Sequence, residues 1–492
     1  MKIVPGGTAA RGWRQAELEV PAPYATLAAD PLEGVVMIRD LRKAIAAWAG
    51  LIAAFWLAAL PLLSAEPSRY FVLDNGLKVF LYEKRDVPLL HVVTGFDVGS
   101  KDETDETSGL VHLLEHCLLF RGTAARSGAE VGADVRRHGA YFNGNTGQDL
   151  SVFEISLPSE YADFALRNQK DILFGLDLVQ EELDGEKEII LEEFSQMEDD
   201  PERNAADLVL QDLFPGHAYG RSVYGNREVI AAASAAELKA FHRTFFVADN
   251  CALAVVGDFD VADMERRVRE IFGPLPKTGF APRSLPMAVP LKKSVSRRLE
   301  RDVAEGYLYL GFAAPDYNHP DRYAMSVLSE ALGRGVNPLL TSFLHSQRDS
   351  VQSVSMTYLP FRFGGAAIVS VKADARDVAA IERAAVSFLK KARDASYSKK
   401  DYMGAEAELA AFDYLEMAKN QIRFASGQAE EHGLQLAGSL ARHMLLNTRA
   451  DPGRYLDGIG AVDSGDLRKA AARYLSRGEV AAVTIIPGRG KK

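Results

Sequence analysis

The chain has 492 residues, 47% of them hydrophobic and 25% charged, with a formal net charge of −10. One hydrophobic core does not organise that length, so two or more domains are expected, and the acidic balance supplies no basic stripe for a nucleic-acid partner. The two cysteines, Cys117 and Cys251, exclude a disulfide framework and a cysteine-ligated zinc cluster.

Residues 44–63 read AIAAWAGLIAAFWLAALPLL, without a charge. A short basic segment with Arg39, Arg42 and Lys43 precedes them, and Ser64-Ala65 and the polar Glu66-Pro67-Ser68 follow. Basic, apolar, small-residue is the order of a secretory signal. An apolar run of about 20 residues is also long enough to act as an uncleaved membrane anchor. Met37 makes a natural start for such a signal, which leaves residues 1–36 as a disordered upstream extension.

From Tyr70 the pattern alternates between strand and helix. Residues 70–73 and 77–83, joined across Asp74-Asn75-Gly76, predict a hairpin, because Asn-Gly suits a tight turn. Residues 89–98 predict a strand and 107–120 a helix. Residues 141–143 and 150–157 predict strands, and 161–173 and 178–197 helices. Ser234 and Glu237 stand at capping-box spacing at the head of a helix over 234–246, and a strand over 251–257 follows. Residues 274–291 are proline-rich and without periodicity, the mark of a linker. Beyond them the pattern echoes the first half: a strand at 307–312, a helix at 322–332, then a helix at 466–475 and a strand at 480–486. The echo predicts duplication of an α+β unit of about 200 residues.

The chemistry concentrates in His112-Leu113-Leu114-Glu115-His116. Residues four apart share a helix face, so the two imidazoles point the same way and can share one ion. Zinc accepts imidazole nitrogens and prefers four ligands, and a catalytic site leaves one position to water. Glu115, beside the pair, is placed to take a proton from that water. A third ligand is sought in the acidic helix around 186–197 (EKEIILEEFSQM). Glu186 and Glu193 share one face of it and Glu188 and Glu192 another, and helical geometry alone does not choose between them.

These residues resemble the pitrilysin/insulinase family of zinc peptidases, whose signature is the inverted His-x-x-Glu-His, and within it the bacterial members similar to the mitochondrial processing peptidase. The likeness extends to Asp97-Val98-Gly99-Ser100, Tyr141-Phe142-Asn143, Asp199-Asp200-Pro201 and Val255-Val256-Gly257-Asp258. It covers roughly residues 68–485, strongly in the first half and weakly in the second. The resemblance implies one zinc ion per chain, bound by His112, His116 and Glu193, with Glu192 as the alternative third ligand. Glu115 is then the catalytic base, and Glu186 a catalytic-site carboxylate that supports a ligand. It also implies that Asn143 and Gly144 lie on an edge strand that pairs with an extended peptide substrate by strand addition.

The sequence departs from the family at one point. Many members carry an Arg and a Tyr seven positions apart in a later domain, reaching across to substrate and oxyanion. The matching stretch here, residues 344–355, places His345 and Gln352 at those positions, while Arg348 and Tyr358 are ten apart. Three readings follow: a slipped alignment, a poorly active relative, or a homologous partner subunit that supplies the pair, with a homodimer as the second choice. The third is favoured.

The organisation expected is thus an extension (1–36), a signal peptide or anchor (37–65), a zinc-binding peptidase domain (66–275), a linker (276–291) and a second homologous domain without a metal site (292–492). The fold class expected is α+β, with two α/β-sandwich halves of mostly antiparallel sheet in a clam-like arrangement. The function expected is a zinc metalloendopeptidase cutting short or unfolded polypeptides. The alternative is a non-catalytic assembly subunit of the same family. The expected location is periplasmic or secreted in a bacterium, or anchored to the inner membrane through residues 44–63.

Overall fold

The computed structural model describes residues 68–335, 337–398, 413–446 and 452–488. The extension and the signal or anchor read at 1–36 and 37–65 lie outside the described residues. Among the described residues no helix is long and apolar enough to cross a membrane.

The architecture expected from the sequence is present: two homologous halves, each a mostly antiparallel sheet with helices packed on it. The first sheet runs β1-β2-β6-β3-β5-β4. Its strands are β1 (Ser68–Val72), β2 (Lys78–Glu83), β3 (Leu89–Phe96), β4 (Tyr141–Thr146), β5 (Ser151–Pro158) and β6 (Cys251–Gly257). Only β2 and β6 pair in parallel. The second sheet runs β7-β11-β8-β10-β9. It is built from β7 (Val295–Arg301), β8 (Gly306–Ala314), β9 (Val351–Phe361), β10 (Gly364–Ala373) and β11 (Ala481–Pro487). Overlaying the two orders matches β2 with β7, β6 with β11, β3 with β8, β5 with β10 and β4 with β9. The single parallel pair recurs as β7 with β11. Strands β4 and β9 are therefore equivalent edges.

Each sheet is covered on one face by helices of its own half and on the other by a helix from the opposite half. The helix Pro201–Leu213, capped by the Asp200 side chain, lays Val209 and Leu213 on Tyr307, Tyr309, Ile368 and Val483 of the second sheet. The helix Gly433–Leu446 lays Leu436, Leu440 and Met444 on Val93, Ala252, Ala254 and Val256 of the first. Burial on both faces explains why β6 reads as an unbroken apolar run, buried at every position. The two contacts use the same device on equivalent strands. A Cβ added at Gly95 on β3 would stand 2.8 Å from Leu445 Cδ1, and one at Gly311 on β8 would stand 3.0 Å from Val209 Cγ2. With about 1.5–3 kcal/mol per fully buried leucine-sized side chain, the exchanged helices bind the halves firmly together.

A polar clamp adds to this. At the turn between β9 and β10, Arg362 Nη1 donates to Asp97 Oδ2 at 2.6 Å, its Nη2 to Leu445 O at 2.6 Å, and its backbone N to Asp149 Oδ2 at 2.9 Å. Tyr219 Oη donates to Asp149 Oδ1 and accepts from Phe363 N. Buried Lys101 donates to Asp97, Asp102 and the Asp149 carbonyl.

In the second half the sequence reading lacks strands β7, β9 and β10 and the helices Leu339–Gln347, Val378–Lys391, Tyr414–Glu431 and Gly433–Leu446, and in the first half it lacks three longer helices, Gly128–Arg137, Pro201–Leu213 and Val261–Phe272. The helix expected over 322–332 is regular over Arg322–Ser329 and widens to a π turn at Glu330–Arg334. Residues 276–291 hold no helix or strand, yet they are pinned by hydrogen bonds of Pro286 O with His217 Nε2 and of Ala288 N with Phe363 O. Both cysteines are free and buried.

Candidate metal centre

The motif lies on the helix Leu110–Phe120. Two of its faces are apolar. Leu110, Leu113 and Cys117 pack against Leu183, Ile190 and Leu238, and Val111, Leu114 and Leu118 join the core under the first sheet. The face left over carries His112, Glu115 and His116. No side chain caps this helix at Gly109. Glu103 instead accepts from Val111 N at 2.8 Å, and burial pushes that carboxyl up to about 8.

The two imidazole rings stand edge to face with centroids 5.0 Å apart. The acidic helix Gln180–Asp199 crosses this face and turns Glu193 toward both rings. Glu193 Oε2 is 3.8 Å from His112 Nε2 and 3.6 Å from His116 Nε2. One ligand atom from each of the three residues lies within 4.8 Å of the others. Tetrahedral zinc ligands about 2.1 Å from their ion stand about 3.4 Å from one another, so the donor set fits zinc in type and in spacing. Glu192, one residue earlier, is exposed. Glu186, two turns back on the face of Glu193, is 1% exposed, with Oε2 3.3 Å from His116 Nδ1 and Oε1 2.6 Å from Arg121 Nη2.

The electrostatics suit this arrangement. Burial, with the neighbouring His116 charge, lowers His112 to about 4, so its imidazole is neutral at pH 7. Burial also pushes His116 down, but its hydrogen bond with Glu186 and the charges of Glu193 and Glu115 outweigh that and leave it raised. Glu115 is raised by burial, against the pull of its hydrogen bond from Thr146 and the His116 charge. Thr146 Oγ1 donates to Glu115 Oε2 at 2.5 Å.

Thr146 and Gly144 project from the same face of edge strand β4 onto the motif helix. A Cβ at Gly144 would meet Glu115 Cγ and Leu119 Cδ1 at 3.0 Å, so glycine lets the strand lie against the base. Asn143 falls on the opposite face by the pleat and is exposed, alongside exposed Tyr141. Sequence reasoning missed Thr146, Arg121 and Tyr224, whose ring stands edge-on to His112 at 5.6 Å. Thr146 is legible in retrospect, two positions after Gly144 on a strand. Arg121 directly follows the motif helix, where a cation suits the helix end. Nothing local marks Tyr224.

His345 and Gln352 are both exposed. Arg348 stands 3.5 Å from Asp377, and Tyr358 donates its hydroxyl to Pro315 O at 2.8 Å.

Residues 84–227 match the model described as insulinase (peptidase family M16), and residues 232–409 match the one described as peptidase M16 inactive domain. An uncharacterised zinc protease of Mycobacterium leprae is 28% identical over 290 residues, which cover 57% of this chain and 64% of that protein. The chain thus spans just under two thirds of the length of that relative. A probable mitochondrial-processing peptidase β subunit of Arabidopsis thaliana is 22% identical over 87% of this chain and 80% of its own. Among solved structures, a protease from Helicobacter pylori superposes with a TM-score of 0.77 at 20% identity, covering 85% of this chain and 99% of that one. A peptidase M16 inactive domain from Pseudomonas fluorescens superposes with a TM-score of 0.76 at 20% identity, covering 86% and 99%.

Proposed function

The chain belongs to the insulinase (M16) family of peptidases, and from that premise we propose that it is a zinc-dependent endopeptidase acting on short or unfolded polypeptides. The observation that carries this reading is the meeting of His112, His116 and Glu193 from two helices beside the buried carboxyl of Glu115. A zinc ion bound by those three side chains, one per chain, supplies a Lewis acid that polarises a carbonyl and lowers the pKa of a water.

The residues divide the remaining work. Glu115, with its affinity for protons raised by burial, takes the proton of the attacking water and passes it to the leaving amine. Thr146 fixes the orientation of that carboxylate. Glu186, itself held by Arg121, orients the His116 ring through Nδ1. Edge strand β4 offers its main chain to an extended peptide, with Asn143 and Gly144 lining the approach. Main-chain pairing makes recognition tolerant of sequence.

The proposal includes a partner. A homologous subunit supplies the Arg/Tyr pair that His345 and Gln352 replace here, a homodimer being the second choice. It also includes the domain limits 66–275 and 292–492, and a periplasmic, secreted or membrane-anchored location set by residues 37–65.

A second reading, a non-catalytic assembly subunit, draws on the description of the model matching residues 232–409 as an inactive domain. That match falls after the residues of the centre, all of which are present here. The deciding experiment uses the full chain, alone and mixed with a candidate partner. The proposal expects stoichiometric zinc, chelator-sensitive cleavage of a quenched peptide, and a Glu115→Gln variant that keeps zinc but loses turnover. Zinc binding without cleavage in any mixture would favour the assembly subunit.

A further inference from the structure

The duplication gives the metal centre a counterpart in the second half. There the helix Arg322–Ser329, continued through Glu330, stands where the motif helix stands, and β9 replaces β4 as the edge. Ser326, Ser329 and Glu330 repeat the spacing of His112, Glu115 and His116. Ser329 Oγ donates to Met356 O on β9 at 3.0 Å, as Thr146 on β4 bonds Glu115 in the first half. Among the described residues this copy gathers no set of three metal-ligating side chains, and a cavity of about 340 Å³ lies there instead.

The walls of the cavity are cationic and aromatic. Arg322 is 9% exposed. Its guanidinium lies over the rings of Tyr317 at 4.8 Å, Tyr323 at 4.7 Å and Tyr455 at 5.9 Å, and donates from Nη1 to the Tyr317 carbonyl at 2.6 Å and from Nη2 to Tyr323 Oη at 3.1 Å. Arg442 lines the same cavity, close enough for its charge to act on the Tyr317 hydroxyl. Among the described residues neither arginine has a carboxylate within ion-pair reach. The acidic and basic residues Glu330 and Arg334 also line the cavity, but they stand 3.8 Å apart and offset one another. Asp316 acts on the Tyr358 hydroxyl without lining the cavity. Two positive charges are thus left over, one of them buried, and a buried charge without a counterion is costly.

We infer that this cavity is a binding site for a peptide carboxylate, built from the vacated copy of the metal centre. Arg322, held rigid by its stacked rings and by its bonds to Tyr317 and Tyr323, offers its charge and its remaining N–H groups to a carboxylate. The cavity exceeds what a small inorganic anion fills, and its tyrosines favour an organic ligand. Pro360 on β9 removes a main-chain donor from that edge, so side chains dominate recognition there. Its use in capturing substrate rests on the peptidase reading. The carboxylate comes from either the C-terminus of a peptide or an acidic side chain within it.

The test uses the full chain carrying Glu115→Gln, so that bound peptide is not consumed. Fluorescence anisotropy compares three versions of one labelled peptide: free C-terminus with an internal Glu, amidated C-terminus, and internal Glu→Gln. Loss of the recognised carboxylate is expected to weaken binding about tenfold, and the arm that responds identifies its source. Arg442→Gln, at an exposed position that spares the fold, is expected to erase the difference, and Arg322→Lys to reduce it while retaining the charge. Equal affinity for all three peptides, no binding, or a preference that survives Arg442→Gln would overturn the inference. Peptide cleavage by the unmodified chain is scored separately. Cleavage without carboxylate preference removes the cavity's role and leaves the peptidase, and the converse result does the reverse.

Discussion

The Nδ1 atom of His116 stands 3.3 Å from Oε2 of Glu186, a carboxylate almost wholly buried and held from its other oxygen by Arg121. A ring nitrogen gripped on one side is fixed in tautomer and direction on the other. Glu186→Gln keeps the shape but weakens the grip. It is expected to lower zinc affinity about 10–100-fold, the range for such supporting partners, while leaving secondary structure intact. Zinc titration against a competing chelator, with circular dichroism as control, measures it. Unchanged affinity would remove Glu186 from the support of the centre.

The hydrogen bond from Thr146 holds the proton affinity of Glu115 below what burial alone would set. As the proposed base, Glu115 works in its ionised form, so activity is expected to fall as pH drops through its pKa. Thr146→Val deletes the hydrogen bond and raises that pKa further. The acidic limb of the kcat/KM profile is therefore expected to move to higher pH, with zinc content unchanged. A limb that stays in place or moves down would contradict the assignment.

Arg362 is the centre of the clamp between the halves, and Asp97 and Asp149 are 7% and 6% exposed. Arg362→Ala leaves Asp97 short of a partner, although Lys101 remains on it, and keeps the main-chain hydrogen bond to Asp149. Removing one member of a buried pair costs about 3–5 kcal/mol, and the retained lysine places the expectation near the lower end, about 3 kcal/mol. Urea unfolding of the variant reads this as a lower midpoint.

Glu103 gives a pH signature. Its folded-state pKa of about 8 lies above the ordinary 4.5. The stability it contributes is therefore fully present below pH 4.5 and is lost as pH rises toward 8. Glu103→Gln can still accept from Val111 N and does not titrate. Relative to the unmodified chain, the variant is expected to gain stability steadily between those limits, by a few kcal/mol at most. Thermal unfolding at a series of pH values tests the slope.

Much of this was legible in the residues. The turn at Asn75-Gly76, the capping box at Ser234 and the strand at 251–257 appear where local chemistry put them. The reason is that each is decided within a few residues. The carboxylate that meets the histidines was not decided locally. Glu192 and Glu193 are equally helical, and only the packing of Leu183 and Ile190 against the motif helix orients the acidic helix and turns Glu193 inward. The helix Pro201–Leu213 was overlooked, and no periodicity would have shown that its apolar face covers the other half's sheet. An amphipathic stripe states that a face must be buried, not against what.

The exchanged helices also set an order of events during synthesis. Strand β6 is complete at residue 257, but the residues that cover its outer face, 433–446, emerge some 180 positions later. Until then a growing chain presents the bare apolar surface of Ala252, Ala254 and Val256, the kind of transient exposure that holdase chaperones bind and that otherwise leads to aggregation. A fragment ending at the linker would carry every residue of the metal centre and still be a poor soluble protein.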